Sequence, residues 1–176
     1  MAENIFLETE RLILRRFTMD DVDRIAALDG DPEVMRYVAD GLPKTRSDAE
    51  EAVPRVLLNY EKIPGLGIWI ADEKPRLAFA GWFALKCIPK TVEIEVGYRL
   101  MRSAWGRGLA TEGARAMVRY GFCERGLDRI VAVTHPDNVA SQRVLRKLGL
   151  EYRGTGHYYG RDLSYFVIER ESYLAQ

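Results

Sequence analysis

Residues 92–118, VEIEVGYRLMRSAWGRGLATEGARAMV, constrain this chain more than any other stretch. A strand with alternating side chains runs into two closely spaced glycines and then directly into a long amphipathic helix. Gly106 and Gly108 reach backbone angles closed to other residues, so a tight turn here can present its amides. Those amides, the unpaired N–H groups of the first helical turn and the helix dipole together make an anion site, with Arg107 adding a positive charge inside the loop. A pyrophosphate is the natural occupant, and a plain glycine-rich turn is the alternative. The loop lacks the Gly-Lys-Ser/Thr ending of a Walker loop and does not complete the GxGxxG dinucleotide fingerprint.

The remainder reads as one mixed α/β (α+β) domain over residues 1–176. A strand is expected at 11–17, then a helix capped by Thr18 with Asp20 and Asp21 in its first turn. A short helix starts at Pro32, and a third is capped by Ser47, with Pro54 predicting a kink or a late start. Three strands follow as a meander at 67–71, 77–87 and 92–100. A helix from 108 to 125, a strand at 129–134, a helix at 138–148 and two strands at 151–159 and 163–170 complete a seven-stranded pattern.

Lys plus Arg and Asp plus Glu both number 26, so the formal charge is zero, which excludes bulk nucleic-acid binding by counterion release. Cys87 and Cys123 form no CxxC pair and have no histidine at metal-ligand spacing, so no metal is expected and two reduced, mostly buried thiols are. The N-terminus lacks a basic region followed by an apolar run, and no stretch approaches 18 apolar residues. The expectation is a cytoplasmic protein with no membrane partner.

Trp105-Gly106-Arg107-Gly108-Leu109-Ala110, followed by HPDNVASQRVLRKLGL, resembles the GNAT N-acetyltransferase family. There the fourth strand feeds a loop of pattern Gln/Arg-x-x-Gly-x-Gly/Ala, and a later strand is followed by an Asn and a helix ending Lys-x-Gly-Phe. Here Trp105 departs from the first loop position and Leu150 replaces the Phe. TERLILRRF, WGRGLATEG and Asn138-x-x-Ser141 are similar to the RimJ/RimL-like branch, which acetylates ribosomal-protein N-termini.

The resemblance implies a mostly antiparallel sheet flanked by helices and splayed between the fourth and fifth strands. It implies acetyl-CoA as acyl donor, direct transfer in a ternary complex, and an amine acceptor. The acceptor is expected to be a protein or peptide N-terminus, with a small molecule such as an aminoglycoside, polyamine or amino acid second. A non-catalytic acyl-CoA sensor is the alternative, and both monomers and homodimers occur among similar proteins. The donor would meet Trp105, Gly106, Arg107, Gly108, Leu109, Ala110 and Thr111 at its pyrophosphate, and Asn138 and Ser141 along its arm. A backbone N–H of Val96 or Gly97, in a strand bulge, would polarise the acetyl carbonyl.

The acceptor must lose a proton. At pH 7.4 a lysine is neutral about once in a thousand molecules and an α-amine about once in four. Glu95, and after it Glu93, are the candidate bases. Many relatives carry a Tyr acid seven residues after the Asn; here that position is Leu145, and Ser141 is the substitute donor to the leaving sulfur. Arg143, Arg146 and Lys147 are candidates for the 3′-phosphate of the donor. His135, Tyr158 and Tyr159 border the site, and Trp69, Trp82 and Trp105 are expected to pack. Cys87 and Cys123 have no activating neighbour in sequence, which disfavours an acetyl-cysteine intermediate.

Overall fold

Successive alternating segments pair with their neighbours to make a single sheet. The computed structural model describes residues 5–175. Its strands are β1 (Ile5–Glu8), β2 (Leu12–Arg15), β3 (Gly67–Glu73), β4 (Ala78–Cys87), β5 (Ile94–Leu100), β6 (Arg129–Thr134), β7 (Glu151–Tyr158) and β8 (Arg161–Glu169), in the order β1-β2-β3-β4-β5-β6-β8-β7. Among the described residues eight strands rather than seven are present. The additional one, β1, is a four-residue edge strand paired with β2, too short for its alternation to register in sequence.

All neighbours pair antiparallel except β5 and β6. That parallel pair is in register at Glu95–Val131 alone, and beyond it the strands part. The splay needs no bulge in β5, contrary to expectation: β4 and β5 stay in continuous register from Gly81–Leu100 to Cys87–Ile94. A Cβ on Gly97 would only touch that of Ala84 at 4.0 Å, so neither a bulge nor close packing explains this glycine.

The helices are α1 (Val22–Asp29), α2 (Pro32–Met35), α3 (Arg46–Lys62), α4 (Leu109–Arg119), α5 (Val139–Lys147) and α6 (Arg170–Leu174). Asp31 caps α2, accepting from Glu33 N–H at 2.9 Å, with Pro32 in the first turn. Thr45 and Asp48 cap α3 reciprocally, so that helix begins earlier than a Ser47 cap implied and runs through Pro54. A π-turn, Tyr120–Glu124, extends α4 to the residue before Arg125.

The buried side chains of α4, among them Leu109, Ala114, Met117 and Val118, recur at helical spacing and lie on the sheet. Contact is close: a Cβ on Gly113 would stand 2.2 Å from the Phe83 ring. Phe83, Leu85 and Val96 form this face of the core. On the opposite face, Arg99 of β5 meets Asp29 at the end of α1, Nη1 to Oδ1 at 2.6 Å. There too a buried cluster joins Asp21 and Asp72 to Arg15, with contacts of 2.7 and 2.8 Å. Cys87 is half-buried and Cys123 exposed, correcting the expectation of two buried thiols. No helix among the described residues is long and apolar enough to cross a membrane.

Candidate active site

The glycine loop between β5 and α4 has the shape its sequence demands. Gly106 and Gly108 sit at φ +71° and +81°, and Gly108 caps α4 in the left-handed conformation. The first amide of α4 with an internal partner is that of Glu112, which donates to Gly108 O at 3.0 Å. The amides of residues 106–111 find no acceptor among the described residues. Such a run of unsatisfied donors at a helix N-terminus is an anion cradle. A Cβ on Gly106 would meet nothing, so the space in front of the loop is open.

Two side-chain clamps hold this shape. Trp105 donates its indole N–H to Leu100 O at 2.9 Å, closing the turn onto the end of β5. It remains 46% exposed, so it is a wall of the cleft rather than a packed core residue. From the β1–β2 turn, Arg11 reaches Arg107 O at 2.8 Å and Glu112 at 2.6 Å, while Thr9 donates to the same carboxylate at 2.6 Å. Desolvation alone would raise the Glu112 pKa, but these hydrogen bonds outweigh it and hold the group below its ordinary value.

Arg107 does not provide the charge expected of it. Its guanidinium pairs with Glu73, with Nη1 at 2.8 Å from Oε2. Arg99 and Arg102, which give RLMRSAWGR its basic look, are likewise matched by Asp29 at 2.6 Å and Asp31 at 2.8 Å. The attraction for an anion here comes mainly from backbone dipoles, supplemented by Arg143 and Lys147 on the cleft wall.

The cleft has a volume of about 520 Å³ and runs from the cradle between β5 and α5. Ala110, Thr111, Asn138 and Ser141 line it, with Tyr98 and Tyr37. Leu109 is fully buried, so only its amide serves the site, and Val96 likewise points its side chain into the core. Asn138 caps α5 by accepting Ser141 N–H at 3.1 Å. Leu145 is 2% exposed and belongs to the core, so it presents nothing to the cleft. Arg146 turns away and lies over the Phe166 ring at 5.5 Å. His135 stacks on Tyr37 at 5.3 Å, across the end of the cleft.

Glu95 is 6% exposed, on the face of β5 opposite α4. Its carboxylate accepts from the Lys86 ammonium, its cross-strand partner, and from the Tyr159 hydroxyl at the β7–β8 turn. Burial, then the Glu95 charge and hydrogen bond, push the Tyr159 phenol far up. Glu93 precedes β5 and accepts from Tyr165 Oη at 3.2 Å, with Arg129 at 3.8 Å. Burial first, then this carboxylate, raises the Tyr165 phenol to about 12. The two candidate bases therefore have separate partners, and each already faces a cation. Sequence reasoning passed over Tyr98, Tyr37 and Lys86 as site residues; for Lys86 the available signal was its strand register opposite Glu95.

Comparison with known proteins places this geometry. An Aspergillus fumigatus protein named FsC-acetyl coenzyme A-N(2)-transacetylase is 35% identical over 154 residues, 83% of this chain. The chain spans 65% of that relative's length, slightly under two thirds. YoaA of Bacillus subtilis, an uncharacterised N-acetyltransferase, is 37% identical over 153 residues, covering 84% of each protein. RimL, the ribosomal L7/L12 α-N-protein acetyltransferase solved with coenzyme A, shares the fold with a TM-score of 0.77 at 18% identity, covering 94% of this chain and 97% of that one. Residues 11–151 match the model of the GNAT acetyltransferase domain. Match and relatives together make this chain a member of the GNAT acetyltransferase family, and an N-acetyltransferase.

Proposed function

We propose that the protein is an acetyl-CoA-dependent N-acetyltransferase of the RimJ/RimL-like branch, transferring acetyl directly to an N-terminal α-amine in a ternary complex. The observation that carries this reading is the cradle of free amides at residues 106–111, opening onto a cleft lined by Asn138 and Ser141. The residues present fit the donor. Orphan N–H groups match a pyrophosphate, the space a Cβ on Gly106 would fill is empty, and the polar side chains of the cleft suit an amide-bearing arm. The bound donor supplies an activated acetyl carbonyl and a thiolate leaving group.

The chain's own groups do the rest. Val96 and Gly97 lie just past the last rung to β6, where the β5 edge has no strand partner, so an amide there is free to meet the carbonyl oxygen. Ser141 faces the cleft and donates toward the sulfur. Glu95 is the proposed base: Lys86 and Tyr159 both bond its Oε1, which leaves Oε2 to accept the amine proton. An α-amine makes a modest demand on that base, since about one in four is already neutral at pH 7.4.

A small-molecule amine is the second reading, favoured by the name of the Aspergillus relative, an N(2)-transacetylase. Thiol release from acetyl-CoA, followed colorimetrically, separates the two. The panel holds peptides with free N-termini, the same peptides blocked at the N-terminus but carrying lysine, and small polyamines, aminoglycosides and amino acids. Turnover on free N-termini alone is expected. Turnover confined to small amines would replace the first reading by the second, and none on any amine would remove both. An unchanged pH–rate profile in both Glu95→Gln and Glu93→Gln would end the carboxylate-base proposal.

A further inference from the structure

Ser141 does not stand alone in the cleft wall. Tyr98 Oη lies 3.2 Å from Ser141 Oγ, linking β5 to the first turn of α5. The phenol ring packs beside Phe83, with centroids 6.0 Å apart, and Ser141 N–H is held by Asn138. Two hydroxyls have two protons and share one hydrogen bond. Among the described residues neither oxygen has a further partner, so one proton is left without an acceptor inside the protein. A phenol is the stronger acid and the better donor, and an alkyl hydroxyl is the better acceptor. Tyr98 therefore donates to Ser141, and the unmatched proton is that of Ser141.

We propose that Tyr98 is a positioning residue that fixes the Ser141 hydroxyl as a hydrogen-bond donor to the departing thiolate, with no proton passing to the sulfur. This rests on the acetyl-transfer reading above. In the step, the acceptor nitrogen bonds the acetyl carbon, the carbon–sulfur bond breaks, and sulfur keeps the electron pair as thiolate. The proton lost by the amine goes to the carboxylate base or to water. Burial pushes the Tyr98 phenol up to about 12, although the Ser141 contact opposes this. A thiol titrates near about 8.5, so its thiolate is too weak a base to take the proton from either hydroxyl. A hydrogen bond to an anion is nonetheless about twice as strong as one between neutral groups, which is what a leaving thiolate needs.

The test compares the wild type with Tyr98→Phe, Ser141→Ala and the double variant. Tyr98→Phe keeps the ring against Phe83, and thermal unfolding checks that each variant folds. In steady state, Tyr98→Phe should lower kcat about tenfold with KM for acetyl-CoA unchanged within about twofold. The double variant should be no slower than Ser141→Ala, because Tyr98 acts through Ser141. A Tyr98→Phe variant at wild-type kcat, or losses that multiply in the double variant, would overturn the proposal.

A second measurement needs no acceptor. Calorimetric titration with CoA and with acetyl-CoA at pH 6.5 and 9 reads how far CoA gains over acetyl-CoA as its thiol ionises. The wild type should show that gain, and Tyr98→Phe should lose most of it while binding acetyl-CoA as before. An equal gain in both proteins overturns the role of Tyr98 whichever amine is the acceptor. Thiolate stabilisation without turnover on any amine would instead sink the acetyl-transfer reading and leave the hydroxyl pair intact. A wild type that binds neither ligand refutes both.

Discussion

Replacing Gly108 by alanine tests whether backbone geometry holds the donor loop in shape. Gly108 sits at φ +81° and caps α4. A Cβ there would stand 3.4 Å from Nη2 of Arg11, the free end of a flexible side chain, so the contact adds little. The cost is conformational: an L-residue forced into the left-handed region loses about 1–2 kcal/mol. If the loop keeps its shape, folding stability falls. At roughly 2–4 °C per kcal/mol for a domain of this size, Tm drops by about 2–8 °C while acetyl-CoA affinity is unchanged. If the loop relaxes instead, stability is retained and binding must restore the shape. Affinity then weakens about 5- to 30-fold, since about 1.4 kcal/mol is a factor of ten. The two effects are complementary, and their sum should equal the strain. Thermal unfolding and calorimetric titration of one preparation measure both. Gly106→Ala, at φ +71° with open space around it, should give a similar sum with no contact at all. A Gly108→Ala protein with both Tm and affinity unchanged would refute the reasoning.

Other expectations concern the groups around this loop. Lys86→Met leaves Glu95 buried against Tyr159 with its cation gone, and should cost about 2 kcal/mol in urea unfolding; adding Glu95→Gln should recover part of that, whereas strictly additive losses would show that the pair is not coupled. Asp21 is 1% exposed, and hydrogen bonds from Arg15 and the Thr18 amide outweigh its desolvation to hold it below the ordinary 3.8. Its folded pKa is depressed, so its contribution is complete above about pH 4 and is lost as pH falls through the folded value. Asp21→Asn should therefore be less stable than wild type by about 2–3 kcal/mol at pH 7, with the difference shrinking below pH 4. Trp105 is half-exposed on the cleft wall, Trp69 is 2% exposed and Trp82 is half-buried under Arg99, so Trp105→Phe should remove most of the tryptophan emission change on adding CoA.

Much of this fold was legible because its signals are local. The strand-loop-helix segment, the stops at Gly126 and Gly149, and Asn138 as a cap all follow from residues a few positions apart. The α3 start was misplaced by two residues for a local reason as well: Thr45 with Asp48 forms a reciprocal cap that Ser47 does not. What escaped was non-local. Arg99, Arg102 and Arg107 put three positive charges close together in sequence, but Asp29, Asp31 and Glu73, far away in sequence, neutralise them. The partners of Glu95 come from β4 and from a turn 64 residues on, and Tyr98 meets Ser141 across 43 positions. A side chain's charge is read from the sequence, but its partner is set by the sheet order.

The lone rung between β5 and β6 makes the sheet a measuring device. From Glu95 to Leu100, β5 runs for five residue steps, roughly 17 Å at about 3.3 Å per residue. The gap between the two half-sheets is closed at Glu95 and open toward the glycine loop. In the acetyl-transfer reading proposed above, a linear donor anchored by its phosphates at the loop would advance along this edge until the rung stops it. The length of β5 thus acts as a ruler, setting how far from the anchor the reacting carbon comes to rest. Two residues added to β5 between the rung and the loop would move that stop by about 7 Å, leaving every side chain of the cradle in place and the chemistry out of reach.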